Sequence, residues 1–425
     1  MARRAIPPAM WIAGTMITSI SAAGMASASG FQLRELSSEG VGTAMAGSTS
    51  RADNLSTIFL NPAGMMRLDT GVQGDLTYIM PKVEFSGSGT GPTGIPFSGG
   101  DGGDAGEDKL IPSLYGLWRI SPDLAVGISV NVPFGLATKY NDDWVGRYFA
   151  LESEISTVVV TPSIAWQATE QLSIGAGIQI GRADATLSRA INLSPLGLPD
   201  AKSELTGDDT AYGFTLGALY QFTPDTRVGL SYRSRMKYTL EGDVTFSGVP
   251  SPVAAMIPTL RNAGASAEVT LPDVLSLGAY HEFSPEWSGM AELSWTNWST
   301  FRELRVSFAD GRPDDVTAEN WKDSWFLSVG AEYRPWEGHA FQIGLAYDQS
   351  PVPDGNRTAR IPDSDRYWLS LGYAYDINAM SRLNLGYTHI FFDKVDLAEE
   401  SSAGSLSGRY SGSADIVSAS IQFRF

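Results

Sequence analysis

The chain has 425 residues, no cysteine and a formal net charge of -17. Its 47 Asp and Glu against 30 Lys and Arg argue against a nucleic-acid partner, and the lack of cysteine excludes disulfides and thiolate chemistry. Apart from the N-terminal run, no stretch approaches 18 consecutive apolar residues, so no transmembrane helix is predicted. With 45 Gly, 16 Tyr and 11 Trp, the composition favours strands and turns, in a soluble protein or a membrane barrel.

The first 28 residues have the layout of a secretory signal. Arg3 and Arg4 give a positive start, residues 10–25 are uncharged and rich in Ala, Ile and Met, and residues 26–28 are small. Because the apolar run is short and ends in small residues, we predict a signal peptide over residues 1–28 that is cleaved before Ser29. The alternative is an N-terminal helix that is retained.

Residues 29–69 form a separate segment that does not alternate like a strand. Residues 37–47 are dense in small side chains, and Asn61-Pro62 favours a turn. A tail, a periplasmic linker and a plug inside a barrel all fit such a segment. The plug is favoured, because a barrel of 14 strands leaves a channel unless something fills it.

From residue 70 onward, tight polar turns alternate with longer polar or glycine-rich segments. The tight turns are predicted at 121–123, 169–171, 223–225, 284–286, 335–338 and 376–378. The long segments lie near 87–107, 138–152, 188–208, 247–264, 309–321, 350–365 and 394–412. Six turns alternating with seven loops give 14 strands, and this separation of loop lengths is typical of an outer-membrane barrel. We therefore predict an all-β fold, a 14-stranded antiparallel transmembrane β-barrel over residues 70–425.

The strands show the alternation that such a barrel requires. Ile174, Ile178 and Ile180 alternate with small or polar residues, so one face suits lipid and the other a lumen. We predict one long strand over residues 287–308. The last strand alternates in the same way and ends on Phe425, like the signal that barrel-assembly machinery recognises. A soluble edge strand would leave its apolar side chains in water.

Several short motifs occur in one order along the whole mature chain. They are Gly30-Phe31-Gln32-Leu33, Asn61-Pro62-Ala63, residues 131–138, Gly181-Arg182-Ala183, Tyr232-Arg233-Ser234, residues 295–301, Trp321-Lys322-Asp323 and residues 348–370. In this order they resemble the FadL family of long-chain fatty-acid transporters. The resemblance implies a barrel plugged by its N-terminal hatch, with Asn61, Pro62 and Ala63 in that hatch.

The resemblance also implies a route for the cargo. An apolar ligand would be captured among the external loops, pass to an internal apolar pocket and leave sideways at a kinked third strand. That strand is predicted here over residues 124–138 and contains Pro133, Phe134 and Gly135. Because proline donates no ladder bond, a break in pairing is expected there. With the resemblance, a functional kink is favoured over a harmless bulge near the strand end.

Two further sets of residues are candidates for ligand contact. The segment 247–260 is apolar for an external loop and is expected to form the capture groove or a lid. Its candidate residues are Val253, Met256, Ile257 and Leu260. For a carboxylate head group, the resemblance points to Arg182 and Lys322, which could equally form ion pairs with lumen carboxylates.

We therefore predict passive uptake of long-chain fatty acids or similar hydrophobic compounds across a bacterial outer membrane. An importer of aromatic or alkane hydrocarbons is the main alternative, ahead of a general porin or an outer-membrane lipase. His281, His339 and His389 have no evident nearby serine and acid partner, so no enzyme is predicted. No cofactor or metal is expected. The expected partners are a hydrophobic small molecule, outer-membrane lipid and lipopolysaccharide, and assembly machinery through Phe425, with the chain as a monomer.

Overall fold

The computed structural model describes residues 29–425, and residues 70–425 form a closed antiparallel barrel. The predicted signal peptide lies outside the described residues. The 14 barrel strands are β1 (Gly71–Thr90), β2 (Lys109–Ser121), β3 (Leu124–Asn131 and Gly135–Lys139), β4 (Glu152–Gln167), β5 (Leu172–Ile191), β6 (Ala201–Thr223), β7 (Thr226–Arg233 and Met236–Ser247), β8 (Ala263–Leu271 and Val274–Ser284), β9 (Trp287–Thr296 and Glu303–Phe308), β10 (Asp315–Ala318 and Ser324–Trp336), β11 (His339–Asp348), β12 (Arg366–Asn378), β13 (Ser381–Phe392 and Val395–Ser401) and β14 (Gly404–Arg424). β1 pairs with β14 along its whole length, which closes the barrel. The predicted 14-stranded fold is confirmed.

The two faces of the barrel follow the predicted alternation. On β5, Ile178 is 60% exposed on the outside, whereas its neighbour Gln179 is fully buried inside. On β14, Val417 and Phe423 point outward, and Ser418 and Gln422 point inward. Because successive strand residues face opposite sides, one sequence supplies both a surface for lipid and a polar inner wall.

The ends of the barrel differ as predicted, with short connections at one end and longer ones at the other. Two predicted long loops are wrong in extent. Over residues 394–412 the chain forms the extended tips of β13 and β14, joined by only two residues, and over 188–208 only residues 192–200 lie outside strands. Polar residues dominate both stretches because these strands continue beyond the lipid, where neither face needs to be apolar.

Another correction concerns β9, which was predicted as one strand over residues 287–308. The strand is interrupted at residues 297–302, where Trp298–Thr300 forms a 3₁₀ turn. This turn buries Trp298 completely. The interruption therefore carries aromatic side chains toward the interior, and a strictly alternating strand would have placed every second one outside. Among the described residues, no helix is long and apolar enough to cross a membrane.

The segment 29–69, called the hatch below, is almost entirely buried within the barrel. It contains the helices α1 (Ser38–Gly42) and α2 (Thr57–Leu60) and a 3₁₀ helix over Pro62–Arg67. α1 packs against β12, β13 and β14, and the 3₁₀ helix packs against β4, β5 and β6. The hatch therefore contacts opposite sides of the inner wall.

Glycines in the wall allow the hatch backbone to come close. A β-carbon added at Gly229 on β7 would lie 1.9 Å from the Thr49 carbonyl oxygen, and one at Gly344 on β11 would lie 2.1 Å from the Thr43 carbonyl carbon. No real side chain tolerates such distances, so any larger residue at either position would displace the hatch.

Buried charges also join the hatch to the wall. Arg51 lies between Glu39 of the hatch and Glu332 of β10, and its Nε lies 2.6 Å from Asp53. Arg382 of β13 approaches Glu39 at 3.5 Å. Because a buried charge that loses its partner is costly, this network ties the hatch to the barrel.

Candidate functional site

The third strand is broken where the sequence has Pro133. Leu124–Asn131 pairs with both β2 and β4, whereas Gly135–Lys139 pairs with β4 on one side and on the other meets only residues 105–106, which precede β2, at Thr138 and Lys139. The pairing of β2 with β3 ends at Leu114 and Val130, so Lys109–Ser113 of β2 has no ladder partner in β3 within the described chain. Pro133 lies between the two segments, as a residue without a backbone donor would.

Beyond the break, β3 leaves the plane of the wall. The consecutive residues Leu136, Ala137 and Thr138 are all buried, as are Val132 and Phe134 before them. A wall strand buries only every second side chain, whereas one that is buried on both sides has moved into the interior. The ladder of the barrel wall is therefore interrupted between Lys109–Ser113 of β2 and residues 132–137 of β3.

The hatch pairs with the displaced part of β3. Gln32 forms an antiparallel bridge with Phe134. The Leu33 amide donates to the Pro133 carbonyl at 2.8 Å, and the Gly135 amide donates to the Phe31 carbonyl at 2.8 Å. Backbone groups that β2 would have satisfied in a regular barrel are thus satisfied by the first residues of the hatch.

An aromatic cluster surrounds Phe31 at this point. The ring centroid of Phe31 lies 4.7 Å from that of Trp298, 5.6 Å from that of Trp321 and 5.8 Å from that of Phe301. The ring centroid of Phe134 lies 6.4 Å from that of Phe31 and 6.1 Å from that of Trp298. The interruptions of β3, β9 and β10 each contribute to this cluster, which places the hatch terminus at the meeting point of three irregular strands.

An apolar cavity lies against this cluster. It is narrow, with a volume of about 80 Å³. Its apolar lining consists mainly of Phe31, Leu136, Ile155, Ala185, Leu187, Leu205, Leu240, Ala265, Ala267, Val269, Phe301, Leu304 and Ile361. A narrow apolar space of this kind fits an alkyl chain, which gains about 0.8 kcal/mol for each CH₂ removed from water.

The cavity continues into a wider vestibule of about 680 Å³ near the external loops. The two spaces share Leu187, Leu205, Leu304 and Arg360. The vestibule is more polar, because Arg189, Arg312 and two aspartates, Asp314 and Asp315, contribute to its lining. A ligand could therefore move from a polar entrance to an apolar interior along one continuous lining.

Three charged side chains line the inner cavity: Glu154, Glu319 and Arg360. The guanidinium of Arg360 is held by Ser153 Oγ at 3.1 Å and by the Ser188 carbonyl at 3.3 Å. Burial, together with nearby Arg189, lowers the pKa of Arg360 to about 10. Burial raises the pKa of Glu319 to about 7, although the Trp321 indole donates to its carboxylate. Arg360 is thus a cation at the junction of cavity and vestibule.

The structure does not place Arg182 where the sequence suggested. Arg182 lies on the outer face of β5 and is 56% exposed. It pairs with Asp208 on β6 at 2.9 Å and with Asp184 at 3.4 Å. The expectation of a lumen cation at this position is wrong, because the strand alternation turns Ala183, not Arg182, toward the interior.

Lys322 does not reach the cavity either. Its side chain is exposed, and its backbone amide donates to the Pro351 carbonyl at 2.9 Å. The preceding Trp321 is the residue that points inward. Neither of the two predicted head-group cations lines the cavity, and the structure does not bring them together.

The apolar external loop contains a short helix, α3 (Ser251–Met256). Of its candidate residues, Leu260 lines the vestibule, and Val253 is buried against Leu193 and Ala201. Met256 is 73% exposed and Ile257 is 36% exposed. The four residues therefore divide between packing, a vestibule wall and an open surface.

The Asn61-Pro62-Ala63 turn sits against the wall. The Asn61 side-chain amide donates to the Thr49 carbonyl at 2.7 Å and to the Ala218 carbonyl of β6 at 3.0 Å. Pro62 begins the 3₁₀ helix, and Ala63 is fully buried. A β-carbon at Gly217 would lie 2.0 Å from Asn61 Oδ1, so this glycine makes room for the turn.

Sequence reasoning missed Arg360, Glu319 and the aromatic cluster. Arg360 stands three residues after Arg357, which pairs with Asp354, and nothing in the sequence distinguishes the two arginines. The aromatic cluster did have a signal, since all five of its residues lie in the quoted motifs. Each histidine bonds a polar neighbour: His281 to Thr226, His339 to Tyr373 and His389 to Asp415.

Comparison with known proteins agrees with this architecture. The family model described as "Outer membrane protein transport protein (OMPP1/FadL/TodX)" matches residues 19–425. A long-chain fatty acid transport protein of Escherichia coli O6:H1 is 27% identical over 93% of this chain and 94% of its own length. Outer membrane protein P1 of Haemophilus influenzae is 30% identical over 90% of both chains.

Among solved structures, a Pseudomonas aeruginosa FadL homologue superposes with a TM-score of 0.88 at 27% identity, covering 93% of this chain and 100% of that one. The Pseudomonas putida toluene transporter TodX gives a TM-score of 0.69 at 19% identity, covering 92% and 98%, and so shares the fold. On the match over residues 19–425, the chain belongs to the OMPP1/FadL/TodX family of outer membrane transport proteins.

Proposed function

We propose that the chain carries long-chain fatty acids or similar hydrophobic compounds passively across the outer membrane. The observation that supports this most is the narrow apolar cavity, which is continuous with a polar vestibule and ends against the broken third strand. A water-filled porin has no need for such a lining. The fatty-acid cargo is carried over from relatives that are named for it.

Cargo would enter through the vestibule. Leu260 and the shared residues Leu187, Leu205 and Leu304 offer an apolar path from the loops inward. At the junction, Arg360 would pair with the carboxylate of a fatty acid, since an Arg–carboxylate contact is strong where water is scarce. The alkyl chain would then occupy the inner cavity.

Exit would be sideways at the break in β3. The gap in pairing beside Lys109–Ser113 would open toward lipid, and the hatch backbone at Phe31–Leu33 bonds to β3 at its inner side. Lateral exit spares the cargo from water, in which each exposed CH₂ costs about 0.8 kcal/mol. Opening requires the hatch terminus to separate from Pro133 and Gly135.

The last strand supports a proposal about assembly. Val417, Ile421, Phe423 and the terminal Phe425 are exposed on the outer face, where barrel-assembly machinery could bind them before insertion. In the membrane, the same side chains would contact outer-membrane lipid, with lipopolysaccharide around the outer rim.

The test is uptake by cells that lack their own fatty-acid importer and express this chain. Radiolabelled oleate should accumulate faster than in cells with an empty vector, and a polar solute such as sucrose should not. Faster accumulation of toluene or an alkane, with no effect on oleate, would instead identify a hydrocarbon importer. Rapid sucrose entry together with steady ion current in planar bilayers would contradict the transporter and indicate a porin.

A further inference from the structure

A second buried cation lies deeper in the barrel than Arg360. Arg233 ends the first segment of β7 and faces the interior, with its guanidinium 4.2 Å from the centroid of the Phe59 ring in the hatch. The titratable groups nearest to it are Arg34, which is also a cation, and the neutral phenol of Tyr115, and no carboxylate of the described residues pairs with it. Its Nε has no hydrogen-bond partner among residues 29–425. The mechanism proposed above does not use this arginine.

Polar side chains of the neighbouring strands converge beside Arg233. Thr215 on β6 is its direct cross-strand partner, and Gly177 on β5 is the partner of Thr215. A β-carbon at Gly177 would lie 2.5 Å from Ser163 Oγ and 2.9 Å from the Thr161 and Thr215 methyl groups. The inner faces of β4, β5, β6 and β7 thus carry a row of small polar side chains beside Arg233, and this stretch of the inner wall is called the Arg233 chamber below.

The polar atoms around this chamber are largely unsatisfied. Side-chain nitrogen or oxygen atoms that are buried and lack a partner in the described chain belong to Ser129, Asn131, Thr161, Ser163, Gln179, Thr215 and Arg233. For Gln179, which is fully buried, both the amide nitrogen and the amide oxygen are unpaired. Buried polar groups in proteins nearly always find a partner, so their concentration on one stretch of wall indicates a polar occupant.

The chemistry of the lining defines that occupant. An arginine is always charged, and this one lacks a counter-ion. Serine and threonine hydroxyls and a glutamine amide can all donate hydrogen bonds, so the chamber presents donors around a positive charge. A carboxylate accepts such bonds on both oxygens and pairs with a guanidinium. We propose that the Arg233 chamber is a binding site for a carboxylate group.

The position of the Arg233 chamber in the barrel indicates how it would take part in transport. Ser129 and Asn131 are among the last residues of β3 before its break, so the chamber borders the interruption in the wall. A fatty acid whose carboxylate sat there could direct its alkyl chain toward the break. This use rests on the proposed function, because a free small carboxylate would satisfy the same chemistry.

Crystals of the full mature chain, soaked separately with 2-bromodecanoate and with bromoacetate, test the site directly. Both probes carry bromine beside the carboxylate, so anomalous scattering locates the head group. A bromine peak beside Arg233 is expected with 2-bromodecanoate. A peak with bromoacetate as well would show that a free small carboxylate also enters. Ordered water alone in both soaks would overturn the proposal.

A titration provides a second measurement. Arg233→Met keeps the contact with Phe59 but removes the charge, and should weaken decanoate binding roughly tenfold without changing the binding of 1-decanol. Arg233→Lys should retain most of the decanoate affinity. Arg182→Met, which changes an exposed arginine on the outer face, is the matched control. Equal loss of decanoate and decanol in Arg233→Met would indicate a structural role and contradict the proposal.

These tests distinguish failure of the proposed carboxylate site from failure of the proposed transport function. If oleate uptake is absent but bromine density appears beside Arg233, the carboxylate site is supported and the proposed fatty-acid cargo is contradicted. If oleate uptake is present but neither probe binds beside Arg233, the transport function is supported and the carboxylate site is contradicted. The β-sheet signal in far-UV circular dichroism and a heat-dependent shift in gel migration verify that each variant forms a barrel.

Discussion

Gln32 of the hatch and Phe134 of the third strand lie opposite each other in an antiparallel bridge. The hydrogen bonds on either side run from Leu33 to Pro133 and from Gly135 to Phe31. The pair itself is therefore of the non-hydrogen-bonded type, whose α-carbons are about 4.5 Å apart. The hatch terminus takes the place of a neighbouring strand, so moving it would leave the backbone of β3 at Pro133 and Gly135 without these partners.

Arg360 should discriminate between charged and uncharged cargo. Arg360→Met is expected to weaken decanoate binding by about 1.5–3 kcal/mol, because a charged hydrogen-bonding partner is lost in the cavity, and to leave 1-decanol binding unchanged. Isothermal titration with both ligands measures this. Arg182→Met is the control, since its guanidinium lies outside the barrel. A loss in Arg182→Met equal to that in Arg360→Met would refute the assignment.

Glu319 should make binding depend on pH. Burial raises the pKa of Glu319 to about 7, so its carboxylate ionises between about pH 6 and 8 and then repels an anionic ligand in the cavity. Decanoate affinity should therefore rise roughly three- to tenfold as pH falls from 8 to 6. The dependence should disappear in Glu319→Gln, and 1-decanol should show none. An unchanged profile in Glu319→Gln would contradict this role.

The raised pKa of Glu319 also makes the free energy of unfolding depend on pH. The dependence has the opposite sign to that of an ordinary ion-paired carboxylate, whose pKa is lowered by folding. The folded state holds the proton of Glu319 more tightly than the unfolded chain does, so the contribution to stability is greatest at low pH. It falls as pH rises from about 4.5 toward 7. At pH 8, Glu319→Gln should unfold at a higher urea concentration than the wild type, and at pH 4 the two should coincide.

Asn61 should hold the hatch against the wall. Asn61→Ala removes two hydrogen bonds to buried carbonyls of Thr49 and Ala218, which costs about 1–3 kcal/mol in hatch docking. Ion current through planar bilayers should rise as a result. Asn356→Ala, at an external asparagine that bonds the Ala318 carbonyl, is the control. A similar current in both variants would show that the turn does not secure the hatch.

Arg51 should be the strongest single link between hatch and barrel. Arg51→Met removes the cation that Glu39 and Glu332 share and leaves them only Arg382 and Arg334, so hatch docking should weaken by about 1.5–3 kcal/mol. Hydrogen exchange should then show faster exchange of hatch amides, while the strand amides stay protected. Arg305→Met, at an exposed arginine, should change neither. Unaltered hatch protection in Arg51→Met would contradict the role of the network.

The barrel was predictable because each strand repeats one local rule: apolar residues alternate with small or polar ones, and short turns alternate with long loops. The rule fails at residues 394–412, where a strand that extends beyond the lipid looks like a loop. It also fails at residues 297–302, where the chain turns inward. Both exceptions depend on surroundings that a local pattern does not contain.

The site was less predictable, for two physical reasons. Because proline has no backbone donor, Pro133 predicts a break in strand pairing. Only the fold shows that Gln32 pairs with Phe134 at this break. Arg182 lies in a recognisable motif, yet strand alternation turns it outward. Arg360 has no distinguishing neighbour in the sequence, and it reaches the cavity because the loop after β11 folds inward. Motif matches gave order along the chain but not the direction of side chains.

A reversible lock between hatch and third strand tests the central claim most directly. The α-carbons of a non-hydrogen-bonded pair are close enough for a disulfide, so Gln32→Cys combined with Phe134→Cys should form one. Because the chain has no cysteine of its own, no other disulfide can form within it. Oleate uptake by cells carrying this variant should be low when the bond is oxidised and should recover on reduction, with each single variant as control. Full uptake by the oxidised double variant would contradict lateral exit at this strand.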